Sequence, residues 1–110
     1  MSLIVLTVFL NLFNVTKLYS QRYGFVNAEN KIVIQPIYYD AKPFSEDLAA
    51  VQYVDNKGRR RWGYINKNGE FAIKPMFYSG SLFKEGFAAV EAYGFGFWGV
   101  IDTLGNWVIK

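Results

Sequence analysis

The sequence predicts an all-β protein made of tandem antiparallel hairpin and meander repeats, forming an open, solenoid-like array. Two observations carry that expectation. The chain repeats itself: twenty-nine residues from Tyr23 align without a gap on those from Trp62, at an offset of 39, and ten are identical. Within each copy, short runs rich in aromatic and β-branched residues alternate with turn residues, which is the pattern of strands joined as hairpins. A repeat of this kind cannot bury its apolar face alone, so neighbouring copies must stack to share a core.

The first twenty residues stand outside the repeat. Leu3 to Phe13 is an apolar run of eleven residues, followed by polar residues and a small residue, Ser20. That length suits the apolar region of a secretory signal and is short of the roughly twenty residues a membrane helix needs. Removal near Gln21 is therefore expected, with export to the periplasm, cell surface or medium. The competing use of this segment is as a first buried strand or helix of the domain. No Lys or Arg precedes Leu3, and Leu18 departs from the small residue preferred three places before a cleavage site. With no cysteine in the chain, a lipid anchor on that residue is excluded.

From residue 21 onward the elements come in order: a copy over 23–61, a second over 62–97, and a partial third over 98–110. The frame of the first two includes Gly24 with Gly63, Pro36 with Pro75 and Glu46 with Glu85, and each copy reaches Ala-Ala-Val. Gly99 follows Trp98 in the third copy as Gly63 follows Trp62. WGYIN and EFAIK read as two strands with a turn between them. Asn27, Asn66 and Asp102 open the three turns, where their side chains can accept backbone N–H groups two residues on. Asn30, Gly69 and Gly105 stand three places later, residue types that accept the positive φ of a bulged hairpin turn.

Val26, Ile65 and Ile101 are aliphatic in every copy. The period-two spacing of Phe71 and Ile73 predicts that both lie on one buried face. LAAVQYV precedes the turn DNKG, so it should pair with the strand that follows, and FAAVEAY should do the same before GFGF. The paired alanines would let layers approach closely. MFYSGSLFKE is expected to carry the chain back through an irregular crossover with a helical turn.

These residues resemble the WG-repeat proteins, bacterial arrays named for a Trp-Gly pair at the start of each repeat. The likeness covers residues 22–110 through the pair, the turn, the proline and the segment EGFAAV, in that order. Tyr23 for the tryptophan and Asp47 for a glycine are departures in the first copy, as in a worn terminal repeat. The resemblance implies an all-β array, often exported or envelope-associated, and implies no catalytic residue.

Composition narrows function further. The chain has neither cysteine nor histidine, which removes the usual transition-metal ligands and the commonest general base. A formal charge of +3 is too small to point to nucleic acid. GFGFWG, Gly94 to Gly99, matches the glycine spacing of dinucleotide-binding loops, but its last glycine belongs to a repeated strand and no helical pattern follows. No enzyme, cofactor or metal is expected.

Candidate contacts remain. Trp62 and Trp98, with Tyr23, could stack on sugars or side chains, or fill the layers. Arg59, Arg60 and Arg61 could hold an anion, although strand alternation sends Arg60 away from the other two. Glu46 and Glu85 resemble a carboxylate pair, but recurrence once per repeat fits acceptors of backbone N–H bonds at the crossover. Phe44 and Phe83 are expected in the core. The expected role is an exported scaffold or protein-interaction module, with glycan or cell-wall binding as the alternative. The apolar segment WVIK predicts self-association through a C-terminal edge.

Overall fold

The computed structural model describes residues 14–18 and 22–109. Among the described residues there are eleven strands in three antiparallel sheets and no helix. The first sheet has β1 (Asn14–Leu18), β2 (Arg22–Val26) and β3 (Ile32–Tyr38) in that order. The middle sheet has β4 (Asp40–Ala41), β5 (Ala49–Val54), β6 (Arg60–Ile65) and β7 (Phe71–Phe77). The third has β8 (Ser79–Gly80), β9 (Phe87–Glu91), β10 (Trp98–Asp102) and β11 (Trp107–Ile109). Only Tyr39 separates β3 from β4, and only Tyr78 separates β7 from β8. The second arm of each hairpin thus runs on into the next sheet.

This passage replaces the expected crossover with a helical turn. After β4 and β8 the chain reverses at Glu46–Asp47 and at Glu85–Gly86, where all four residues have positive φ, 53° and 67° then 53° and 86°. Two successive positive values define the tight turn whose twist suits a hairpin. Asp47 holds the place of Gly86, and a short polar side chain tolerates this conformation, so the first copy keeps the turn despite the substitution.

Each longer hairpin turns in one way. Asn27 Oδ1 accepts the N–H groups of Glu29 and Lys31 at 3.0 and 3.1 Å. Asn66 does so for Asn68 and Glu70, and Asp102 for Leu104 and Asn106. Asp55 repeats the arrangement with Lys57 and Arg59, so DNKG is a fourth example of the same turn. The residue three places on has positive φ every time: Asn30, Gly58, Gly69 and Gly105. The carboxyls of Asp55 and Asp102 are held below the usual carboxylate range, first of all by the backbone N–H of Arg59 and of Asn106 respectively.

The glycine of the Trp-Gly pair has a mechanical cause. Trp62 pairs with Phe77 and Tyr64 with Ile73, so three residues, Lys74 to Met76, bulge opposite Gly63 alone. A Cβ at Gly63 would stand 2.7 Å from the Ile73 carbonyl oxygen and 2.8 Å from Pro75 Cα. Gly24 meets Ile34 and Pro36 in the same way. Proline suits the bulge because it offers no N–H to a ladder. The glycine and the proline, twelve residues apart, are one structural feature.

A second register shift lies between Tyr64 and Ile65, which pair with Ile73 and Phe71. It corrects the expected single buried face. Phe71 turns back towards the first sheet, with its ring 6.4 Å from Tyr38, while Ile73 faces the third sheet and is buried with Ile101.

Two cores result. Phe25, Ile34, Tyr38 and Phe44 pack with Ala49, Val51 and Ile65 of the middle sheet. Tyr64, Ile73, Phe77 and Phe83 pack with Ala88, Val90 and Ile101 of the third, joined by Leu48, Ala50 and Trp62. Consecutive alanines of β5 serve opposite cores: Ala49 faces back and Ala50 forward. The small side chains allow sheet to approach sheet on both sides, as their pairing in the sequence implied.

β1 falls inside the segment expected to be removed on export. It pairs with β2 along its length, Asn14 opposite Val26 to Leu18 opposite Arg22. β5 meets β6 in the same register, Ala49 opposite Ile65 to Tyr53 opposite Arg61. Residues 1–13, 19–21 and 110, with the whole of the apolar run Leu3 to Phe13, lie outside the described residues.

Candidate functional site

The repeat leaves one face of the third sheet uncovered by described residues. Ala88, Val90 and Ile101 point to the second core, so their neighbours Phe87, Ala89 and Val100 point outward, together with Trp98 and Ile109. Their counterparts on the middle sheet are Leu48, Ala50, Tyr64, Trp62 and Ile73, all buried. Exposure marks the contrast. Leu48, Trp62 and Ile73 are 8%, 7% and 4% exposed, whereas Phe87, Trp98 and Ile109 are 47%, 50% and 61% exposed. The positions are equivalent, and the difference is that no described residue covers those of the third sheet.

The bonds that join layers are known from the middle of the stack. The Gly86 N–H donates to Glu46 Oε1 at 2.8 Å, and the Glu85 N–H donates to the other oxygen of that carboxylate. A carboxylate accepting two successive backbone N–H groups is a strong, charge-assisted clamp. Ser45 Oγ donates to the Phe83 carbonyl at 2.6 Å, and Lys42 Nζ to the Gly80 carbonyl at 2.6 Å. All four contacts run from residues 42–46 of one repeat to residues 80–86 of the next. Glu46 therefore has the backbone-accepting role that its recurrence implied. Its counterpart Glu85 is exposed, and no described backbone N–H reaches its carboxylate. Glu85 marks where a further turn would dock.

The other candidates are placed as follows. Trp62 is in the second core, with the Lys42 ammonium 5.1 Å from its ring, so it fills a layer and is closed to a ligand. Trp98 is half exposed. Arg59 bonds to Asp55 at 2.8 Å, Arg60 lies over the Tyr39 ring at 4.2 Å and Arg61 over the Tyr78 ring at 4.2 Å. The three guanidinium groups are thus spread over separate partners and do not converge on one anion. Gly94 to Gly99 is a loop and strand between antiparallel neighbours, β9 and β10, and not a strand-to-helix turn. Among the described residues, no group of three or more acidic side chains could hold a metal ion.

Phe87 and Val100 escaped sequence reasoning because period-two alternation gives two faces and does not say which one the next layer covers. Lys42 and Ser45 escaped it for another reason. They bond to carbonyl oxygens, and carbonyls carry no sequence signal.

Residues 23–57, 62–94 and 98–110 match the family described as WG containing repeat. The chain belongs to that family. The three matched stretches begin at Tyr23, Trp62 and Trp98, the aromatic residue of each pair, inside β2 and β6 and at the start of β10. No curated protein and no solved structure matches this WG-repeat chain.

Proposed function

We propose that this WG-repeat chain is a non-catalytic scaffold that engages protein through the outward face of its third sheet. One observation carries the reading: Phe87, Trp98, Val100 and Ile109 stand where the middle sheet places residues buried by the layer above. A contiguous apolar face of this kind is characteristic of protein interaction. The occupant we commit to is a second copy of the chain, meeting the first face to face, because a two-fold contact uses one patch twice and needs no other partner.

β11 is the edge strand of this sheet, so face and edge lie at the same end of the molecule. The face supplies the larger side chains. Sedimentation across a concentration series tests the reading. Association that strengthens with concentration, and is lost in Trp98→Glu without loss of folded structure, is the expected result. A chain that stays monomeric throughout, or associates equally well as the variant, contradicts it.

Glycan binding, the alternative, has lost Trp62 to the core and now depends on Trp98 and its exposed neighbours Tyr93 and Phe97. Binding to a glycan array, abolished on replacing Trp98, would favour it. Export remains part of the proposal, supported by the apolar run Leu3 to Phe13. Removal of residues 1–20 would take β1 from the first sheet and leave β2 with an open edge. N-terminal sequencing of material recovered outside the cell distinguishes a mature start near Gln21 from a chain that keeps β1.

A further inference from the structure

The third sheet contains a hollow beside β9 and β10. It has a volume of about 660 Å³ and is lined by Ala92, Tyr93, Phe97, Trp98 and Trp107 together with Gly96 and Gly99. Its origin can be read from the layer before. There the Tyr53 ring packs edge-on against Phe71 at 5.9 Å, and Phe71 packs edge-on against Tyr38 at 6.4 Å. In the third sheet Trp107 takes the place of Phe71 and Phe77 that of Tyr38, again edge-on at 6.1 Å. Ala92 takes the place of Tyr53.

The register supports that equivalence. Tyr53 pairs with Arg61, and the Ala92 N–H donates to the carbonyl of Phe97, the counterpart of Arg61, at 3.3 Å. Gly99 likewise corresponds to Gly63. Four residues lining the hollow are thus the counterparts of Tyr53 and its surroundings, with the ring itself gone. Two rings of a three-ring set are present, and the place of the third is open.

The loop beside the hollow is held in position. Gly94 and Gly96 have positive φ, and the Gly96 N–H donates to Glu91 Oε2 at 2.8 Å. Phe97 and Trp98 are well exposed beside it. An apolar concavity with aromatic walls is the usual form of a small-ligand site.

We propose that this hollow binds an aromatic ring of tyrosine or phenylalanine type, presented by a peptide or small molecule. The ring occupies the place that Tyr53 holds in the preceding layer and meets Trp107 edge-on, an arrangement the ring quadrupoles favour. This site shares Trp98 with the outward face, while Ala92, Gly99 and Trp107 belong to the hollow alone.

The test is titration of the full chain with p-cresol, the tyrosine side chain as a free molecule, followed by amide and indole NMR shifts. Saturable shifts centred on Ala92, Phe97, Gly99 and Trp107 are expected, with affinity in the millimolar range for so small a probe. Ala92→Tyr should fill the hollow from within and weaken binding at least about tenfold, while restoring the arrangement of the middle sheet. Ala92→Leu serves as a second filler if the tyrosine disturbs folding, and the dispersed spectrum reports that directly. Absence of saturable shifts, undiminished binding in a folded filled variant, or binding at these residues by cello-oligosaccharide in place of p-cresol would overturn the proposal. Sedimentation of the same samples keeps this outcome separate from self-association.

Discussion

In the first core Phe25 occupies the place that Tyr64 holds in the second, and Ala41 the place of Gly80. The Tyr64 hydroxyl donates to the Ser81 carbonyl at 2.7 Å, and burial pushes its pKa up. A Cβ on Gly80 would stand 2.6 Å from that hydroxyl oxygen. The first layer therefore has a methyl group and no hydroxyl, and the second a hydroxyl and no methyl. What repeats down the stack is the filled volume, and the residues exchange in pairs to keep it. The third layer departs from that rule at Ala92, where Trp107 in place of Phe71 still leaves a hollow, and at the outward face, which no described residue covers.

The largest effect is expected where the layers agree most closely. Gly63→Ala should destabilise by about 3 kcal/mol, because its Cβ meets backbone atoms that cannot swing aside. Gly24→Ala should cost a similar amount in the first sheet. Urea unfolding measures both, and a loss below about 1 kcal/mol at either site would break the link between glycine and bulged proline.

A double-mutant cycle sharpens the comparison of cores. Gly80→Ala alone should cost about 1–3 kcal/mol through crowding, and Tyr64→Phe alone about 1 kcal/mol through the lost hydrogen bond. Together they recreate the first layer's solution, so the pair should cost less than the sum by at least about 1 kcal/mol. Simple additivity would mean that the two cores are not interchangeable.

The turns offer a smaller contrast. Gly69, at φ 82°, should resist valine by roughly 1 kcal/mol or more, because a β-branched residue is strained there. Asn30→Gly should stay within about 0.5 kcal/mol, as both types accept φ 63°. Equal damage from both changes in a thermal melt would contradict this reading of the turns.

The smallest effect concerns acid. Asp102 has a lowered pKa in the folded chain, so its contribution is present above the ordinary carboxylate value and lost as pH falls through the folded one. Asp102→Asn copies Asn27 and Asn66, keeps an acceptor for the turn and removes the titration. Thermal midpoints of the variant should therefore fall less steeply below pH 4 than those of the parent.

Most of the architecture was legible because it rests on chain-local signals. Asn27, Asn66 and Asp102 announced their turns through side-chain chemistry, and Glu46 announced its role through recurrence. Phe71 and Ile73 were misread because a one-residue register shift reverses facing while leaving the alternation of residue types intact. The passage from β7 to β8 was misread because Ser79 and Gly80 carry no strong strand signal, and continuity with Phe77 decides the outcome. The outward face and the hollow at Ala92 became visible only when equivalent positions could be compared for burial, which depends on neighbours in space.

The central claim is that each layer is stabilised by the layer above it. Amide hydrogen exchange at a concentration where the chain is monomeric tests this most directly, because it gives an opening free energy for each strand. β5 and β6 have cores on both sides, so their slowest amides should exchange only through global unfolding. Those of β10 and β11, covered on one side, should open at distinctly lower free energy. Equal protection of β6 and β10 in the monomer would contradict the account.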